Sequence, residues 1–260
     1  IYKILKKAKK NRGALELDIP FYVPQLKGNK IEKFINTSRN EAHLLIEECM
    51  LLANICAAKI LMKAKIPSIY RIHPKPDPLK IKNLEGFARS RKINVTLGND
   101  GKVKELSNLV DITKDRKDKE TIHMQILQSL SLAVYETEVS EHFALGYPAY
   151  THFTSPIRRY PDLMVHRALK SLIQTSPNGN ISLDKMRPQR INKDLYPYNN
   201  DLVEEIASLS STKEREAEKA EREAINYLKC AYAKDNIGKE FNGVISGVTN
   251  FGLFIHLDSI

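Results

Sequence analysis

From Asp201 to Lys234 the chain runs without a glycine or a proline, and no other feature constrains its fold as much. Read as one uninterrupted helix, at 1.5 Å per residue, this stretch is a rod of roughly 50 Å. Leu202, Ile206, Leu209, Ala217, Ala220, Ala224 and Leu228 recur at helical spacing and predict an apolar stripe, while KEREAEKAERE supplies a charged face. Gly238 ends the rod, and the texture changes. KEFNGVISGVTNFGLFIHLD alternates apolar residues around Gly243, Gly247 and Gly252, with Phe251 and Phe254 interleaved, which predicts strands.

Upstream, Ile1 to Lys10 reads as a short basic helix broken at Arg12-Gly13. Two alternating runs, Ala14 to Ile19 and Lys30 to Thr37, predict a strand pair. A strong helix is expected over Asn40 to Ala64, capped by Ser38 or Asn40, with Leu45, Cys49, Leu52, Cys56 and Ile60 on its core face. Pro67, Pro74, Pro76 and Pro78 punctuate the loop that follows. Shorter helices are predicted at Leu79 to Lys92, Lys102 to Val110 and Lys119 to Val134, joined by polar turns such as Gly98 to Gly101. Pro161 to Gln174 reads as a further helix burying Leu163, Val165, Leu169, Leu172 and Ile173, and Thr175 to Asn200 as a long surface connection.

With 42% apolar residues the chain can bury a core, as one large domain or as one domain and part of another. The 41 Lys and Arg outnumber the 31 Asp and Glu by ten, which favours a polyanionic partner, nucleic acid before membrane. No apolar run approaches a membrane span, and the first ten residues lack the apolar core of a signal peptide, so a cytoplasmic protein with no membrane partner is expected. Cys49 and Cys56 lie about 10 Å apart along one helix, too far for a bridge. Without Cys/His metal spacing, all three cysteines, Cys230 included, read as small buried hydrophobes. Asp111, Asp115 and Asp118 alternate with Lys114, Arg116, Lys117 and Lys119, the pattern of neutralised, solvated charge, and no metal ligand is assigned in this chain.

The segment YTHFTSPIRRYPDLMVHRAL, Tyr150 to Leu169, carries the most chemistry. Arg158 and Arg159 precede Pro161 and Asp162, residue types of a helix's first turn, so two guanidinium groups are placed near a helix N-terminus, a good position to hold a phosphate. The bland reading of the bare Arg-Arg pair is a solvated turn, and that of the flanking aromatics is core.

The whole string closely resembles the signature of the ribonuclease II and ribonuclease R family of exoribonucleases. RGALELD (Arg12 to Asp18), RNEAHLLIEECMLLANICAAKIL (Arg39 to Leu61), IYRIHPKP (Ile69 to Pro76) and AEKAEREAINYLKCAY (Ala217 to Tyr232) resemble blocks of the same family in the same order. HFTSPIRRYPD and the LKC closing the long helix favour the ribonuclease R branch. The resemblance implies an α+β fold: the C-terminal, mainly helical part of an RNB catalytic domain over 1–235, then the first strands of an OB-fold β-barrel over 238–260.

It also implies processive 3′-to-5′ hydrolysis of single-stranded RNA to nucleoside 5′-monophosphates with Mg²⁺, whose aspartate ligands are expected upstream of this chain. The chain reads as cut at both ends, the fragment alone as inactive and the protein as monomeric. Arg158 matches the family arginine that contacts the scissile phosphate, a planar fork of donors suited to developing charge. Glu221, in the AER triplet, matches a glutamate near the terminal nucleotides; Glu218 and Glu223 are its neighbours in register. Tyr150, His152, Thr154, Ser155 and Arg159 are expected to contact RNA from the signature, and Phe251 and Phe254 to stack on bases. Arg159 has a second reading as a structural partner of Asp162, and His166 reads as a satisfied structural histidine. Glu47 and Glu48 resemble a family acidic pair. A scaffold of this kind that binds RNA without cleaving it is the alternative.

Overall fold

A computed structural model of the chain describes residues 1–17, 19, 22–28, 30–37, 39–98, 101–176 and 192–257. The capping alternative Ser38, turn residues Asn99 and Asp100, and most of the expected connection after Thr175 lie outside the described residues.

The basic N-terminal segment forms α1 (Tyr2–Arg12), closed by Gly13 in the left-handed region at φ 73°. A Cβ there would meet Lys104 Cγ at 2.4 Å, so both the backbone angle and the space require glycine. Next comes an antiparallel pair, β1 (Tyr22–Lys27) and β2 (Lys30–Asn36). This corrects the expected pairing of Ala14 to Ile19. The Leu15 amide instead bonds the Ala144 carbonyl at 2.9 Å, and Leu15 and Leu17 pack on a helical core. Their alternation reflects one packed side without a strand partner. The true strand carries Pro24 opposite Phe34, tolerable because a two-stranded sheet leaves each strand an unpaired edge.

Helix α2 (Glu41–Ala64) starts where its sequence says, with Asn40 Oδ1 accepting from the His43 amide at 3.0 Å. Its buried face is not the expected one. Leu51, Ile55, Ala58 and Leu61 are buried, whereas Cys49, Leu52 and Cys56 are exposed, and so is Cys230. The helix is apolar nearly all round, so hydrophobicity alone does not choose its face. Buried Glu48 and Asn54 do, because their polar atoms find partners there.

After β3 (Tyr70–Ile72) come α3 (Pro78–Ser90), α4 (Val103–Thr113) and α5 (Lys119–Ser129). Ile81, Leu84, Leu106, Leu109, Ile122, Ile126 and Phe143 join them in one apolar cluster. The last of these helices ends five residues short of the expected boundary, because Val134 begins β4 (Val134–Glu136), antiparallel to β3 with Arg71 opposite Tyr135.

Helix α6 (Tyr160–Thr175) follows the signature and buries Met164, Val165, Ala168 and Leu172, while Ile173 is exposed. With α2, β3, β4 and the start of α7 (Asn200–Asp235) it encloses a second apolar cluster around Leu61, Ile69, Tyr196 and Val203. The long rod is thus present, yet only Val203, Ala207 and Ser211 are buried in it, all in its first third. Leu202 and Leu209 face outward, and the alanines of the expected stripe are exposed. A hairpin of β5 (Gly243–Thr249) and β6 (Gly252–Leu257) ends the described chain. All three sheets among the described residues are two-stranded.

Candidate functional site

The signature crosses the middle of α2 and is pinned to it by one side chain. Asn54 Nδ2 donates to the Tyr150 hydroxyl at 2.8 Å, and its Oδ1 accepts from the Phe153 amide at 2.9 Å. Thr151 Oγ1 donates to the Ile69 carbonyl at 2.6 Å, and the Arg71 amide donates to the Tyr150 carbonyl at 2.9 Å, tying the segment to β3 as well. His166 bonds the Phe153 carbonyl through Nε2 and stacks on the Phe153 ring with centroids 4.2 Å apart. It is the structural histidine expected.

Past Thr154 the backbone turns. The amides of Arg158 and Arg159 donate to the Ser155 carbonyl, and the Ser155 amide donates to Asp162 Oδ1 at 2.8 Å. That same oxygen accepts from the Arg159 guanidinium at 2.8 Å, and Asp162 is fully buried. Arg159 is thereby committed to the turn, the second of its two readings. Asp162 also fills the first turn of α6 with a negative charge, where a phosphate had been expected. Arg158 projects outward, and its side chain makes no hydrogen bond or ion pair among the described residues. Ser155 acts through its backbone.

Between this segment and α2 lies a cleft of about 380 Å³. Tyr150, His152, Thr154 and Arg159 line one wall, and Ile46, Met50, Leu51 and Asn54 line the other. Four of the expected contact residues are thus together. Arg158 stands on the turn beside them, near enough for its charge to act on His152. Glu221, Phe251 and Phe254 are not in the cleft: Glu221 lies on the exposed half of α7, and the two rings sit 6.0 Å apart on the terminal hairpin. Thr154 Oγ1 and Arg159 Nε are buried without a hydrogen-bond partner, polar capacity the fold itself leaves unused at the cleft.

Burial dominates the electrostatics. It pushes His152 down to about 2, helped by the guanidinium groups of Arg159 and Arg71, so the cleft carries a neutral imidazole at physiological pH. Burial likewise lowers His142 to about 3, with His73 and Arg71 adding to the effect, and it raises Tyr135 to about 12. Asp118 is held below the usual carboxylate range by its hydrogen bonds to Arg116, with Arg91 also contributing, as expected of a neutralised pair. Among the described residues no group of three or more His, Cys, Asp or Glu side chains can hold a metal ion. The described residues do not by themselves fit the Mg²⁺ that the resemblance implies. No helix among the described residues is long and apolar enough to cross a membrane.

Residue type and spacing do not single out Asn54, Tyr135 or Glu214. A lone amide in the middle of an apolar helix was the available signal for Asn54. Tyr135 and Glu214 carried none, since each acts through partners far away in the chain.

A family model described as the RNB domain matches residues 1–175, the stretch that holds both walls of the cleft. The chain belongs to the RNB domain family. Ribonuclease R of Vibrio parahaemolyticus is 38% identical over 100% of this chain and 30% of its own length. The RNB chain therefore spans about a third of the curated relatives it matches. The apo form of Mycoplasma genitalium RNase R superposes with a TM-score of 0.85 at 28% identity, covering 99% of this chain and 38% of that one. The same enzyme in complex with ribose methylated single-stranded RNA gives 0.84 at 28% identity with the same coverage.

Proposed function

We propose that this RNB chain forms the RNA-gripping part of a ribonuclease R-type exoribonuclease. The enzyme degrades single-stranded RNA processively from the 3′ end to nucleoside 5′-monophosphates. The observation that carries the reading is the division of labour at the signature turn: Asp162 neutralises Arg159, which leaves Arg158 as a free guanidinium beside a cleft lined by Tyr150, His152 and Thr154. A planar fork of donors that owes nothing to the fold suits the non-bridging oxygens of a phosphodiester and the charge that grows on them. The relative solved with single-stranded RNA supports the same substrate class.

On this reading Mg²⁺ is bound by carboxylates outside residues 1–260, and the isolated chain is inactive. Residues 1–235 belong to the catalytic domain, and 238–260 begin an OB-fold in which Phe251 and Phe254 stack on bases. Glu221 serves the terminal nucleotides from α7. The whole protein works as a cytoplasmic monomer.

The test is digestion by the full-length protein of single-stranded RNA labelled at one end or the other, with Mg²⁺ and without it. A 3′ label is expected to appear at once as a nucleoside monophosphate, while a 5′ label passes from full-length RNA to a short terminal product with few intermediates. Internal cuts, release from the 5′ end, or binding without cleavage would overturn the proposal.

A further inference from the structure

Helix α7 packs on α6 through Val203 and Ala207, and it reaches the cleft wall by a second route, through the two-stranded sheet. Ser211 Oγ accepts from the Tyr135 amide at 2.9 Å, and one turn later Glu214 pairs with the Arg71 guanidinium at 2.6 Å. Arg71 and Tyr135 lie opposite each other in the sheet, and the guanidinium sits 4.5 Å from the centre of the Tyr135 ring. The Tyr135 hydroxyl reaches His152 Nδ1 at 2.8 Å, and His152 lines the cleft. Carboxylate, guanidinium, phenol and imidazole are thus in unbroken contact from α7 to the wall of the cleft.

Two details give the chain of contacts a direction. First, the Arg71 side chain is 12% exposed, and its cation is matched by Glu214 and by the face of an aromatic ring, so both groups have a strong reason to keep this geometry. Second, nothing on α7 beyond Ser211 is buried, so Ser211 and Glu214 anchor it where the exposed stretch begins, and the helix meets the protein again where Tyr232 packs on Phe34. Glu221 follows Glu214 by seven residues, about two turns, and therefore lies on the same helix face about 10 Å further along.

We propose that Tyr135 is a positioning residue held by the Arg71–Glu214 pair, whose hydroxyl donates to His152 Nδ1 and so presents the Nε2 proton of a neutral imidazole to RNA in the cleft. The chemistry follows from the donor inventory. A neutral imidazole has one donor and one acceptor, so fixing Nδ1 as acceptor leaves Nε2 as the donor, suited to a ribose hydroxyl or a phosphate oxygen. A phenol that burial keeps protonated has a proton to give to Nδ1. The proposal rests on the reading that RNA occupies this cleft.

The full-length protein tests it with Tyr135→Phe, His152→Ala, His152→Gln and the double variant Tyr135→Phe/His152→Ala, assayed on single-stranded RNA. Tyr135→Phe keeps the ring under Arg71 and deletes one hydrogen bond. It is expected to raise KM roughly fivefold with kcat within about twofold, as befits one hydrogen bond's net contribution. His152→Gln, with a neutral side-chain donor, is expected to recover most of what His152→Ala loses. In the His152→Ala background Tyr135→Phe is expected to change nothing further, because the proton it controls is gone. Melting curves for all variants are expected to stay within a few degrees of the parent.

If His152→Ala binds and cleaves normally, the cleft reading fails and takes the relay with it. If His152→Ala is impaired and Tyr135→Phe is silent, or adds its full effect in the double variant, the cleft stands and the relay is wrong.

Discussion

Arg158 and Arg159 are neighbours in the chain, yet the turn gives them opposite surroundings. The carboxylate of Asp162 is fully buried and takes hydrogen bonds from Arg159 and from the Ser155 amide, so removing Arg159 leaves a buried charge short of its partner. Arg159→Ala is therefore expected to destabilise the fold by about 3 kcal/mol, read from urea denaturation of the full-length protein. Arg158→Ala removes an exposed side chain with no hydrogen bond or ion pair among the described residues, and its expected stability change is within about 0.5 kcal/mol. Its effect belongs to catalysis instead: turnover is expected to fall by roughly a hundredfold or more, with RNA affinity reduced far less, in single-turnover digestion and equilibrium binding. Equal losses of binding and turnover would remove Arg158 from its role. The residues quoted from the signature already placed both arginines at a helix start. They did not show which one the fold consumes, because that depends on where Asp162 folds back within a turn that no periodicity describes.

Helix boundaries were legible where local chemistry sets them, as where Asn40 caps α2 and Gly13 stops α1, and not at the end of α5, where no such signal stands. Helix faces were not, wherever a helix is apolar on several sides or amphipathic over only part of its length. In α2 the polar residue Asn54 fixes the rotation, since its amide is the only side chain of the helix bridging both the Tyr150 hydroxyl and the Phe153 backbone. Asn54→Leu keeps the branched shape of the side chain and strands the buried Tyr150 hydroxyl and the half-buried Phe153 amide. The expected cost is about 2–4 kcal/mol, against about 1 kcal/mol for deleting the exposed cap with Asn40→Ala, compared by denaturant titration. A cost for Asn54→Leu no larger than that of the cap would show that apolar packing alone sets the register of α2 against the signature. The same logic explains the misplaced strand. Ala14 to Leu17 alternates because Leu15 and Leu17 pack on the cluster of α3, α4 and α5, whereas the real edge strand hides behind Pro24.

At the scale of the molecule, the histidines couple the site to acid. His73, His142 and His152 join Tyr135, Phe143, Tyr147 and Tyr150 in one aromatic cluster under the signature, with His73 and His142 ring centroids 5.1 Å apart. Burial lowers all three, His142 to about 3 and His152 to about 2, and the charge of Arg71 presses on each. In the unfolded chain the same imidazoles take up protons near pH 6.5. Between those limits the unfolded state binds more protons than the folded one, so stability rises with pH up to about 6.5 and is lost as pH falls below it. Each of the two most depressed groups contributes a slope approaching about 1.4 kcal/mol per pH unit. Thermal melts of the full-length protein are therefore expected to show the transition falling steadily from pH 7 towards pH 5, above the range where carboxylates begin to protonate. His142→Phe removes one of these groups at a position whose Nδ1 has no hydrogen-bond partner, and it is expected to flatten that dependence while leaving stability at pH 7.5 nearly unchanged. A parent curve that is flat from pH 7 to pH 5.5, or a His142→Phe curve as steep as the parent's, would mean that the cluster opens to water and accepts protons in the folded state.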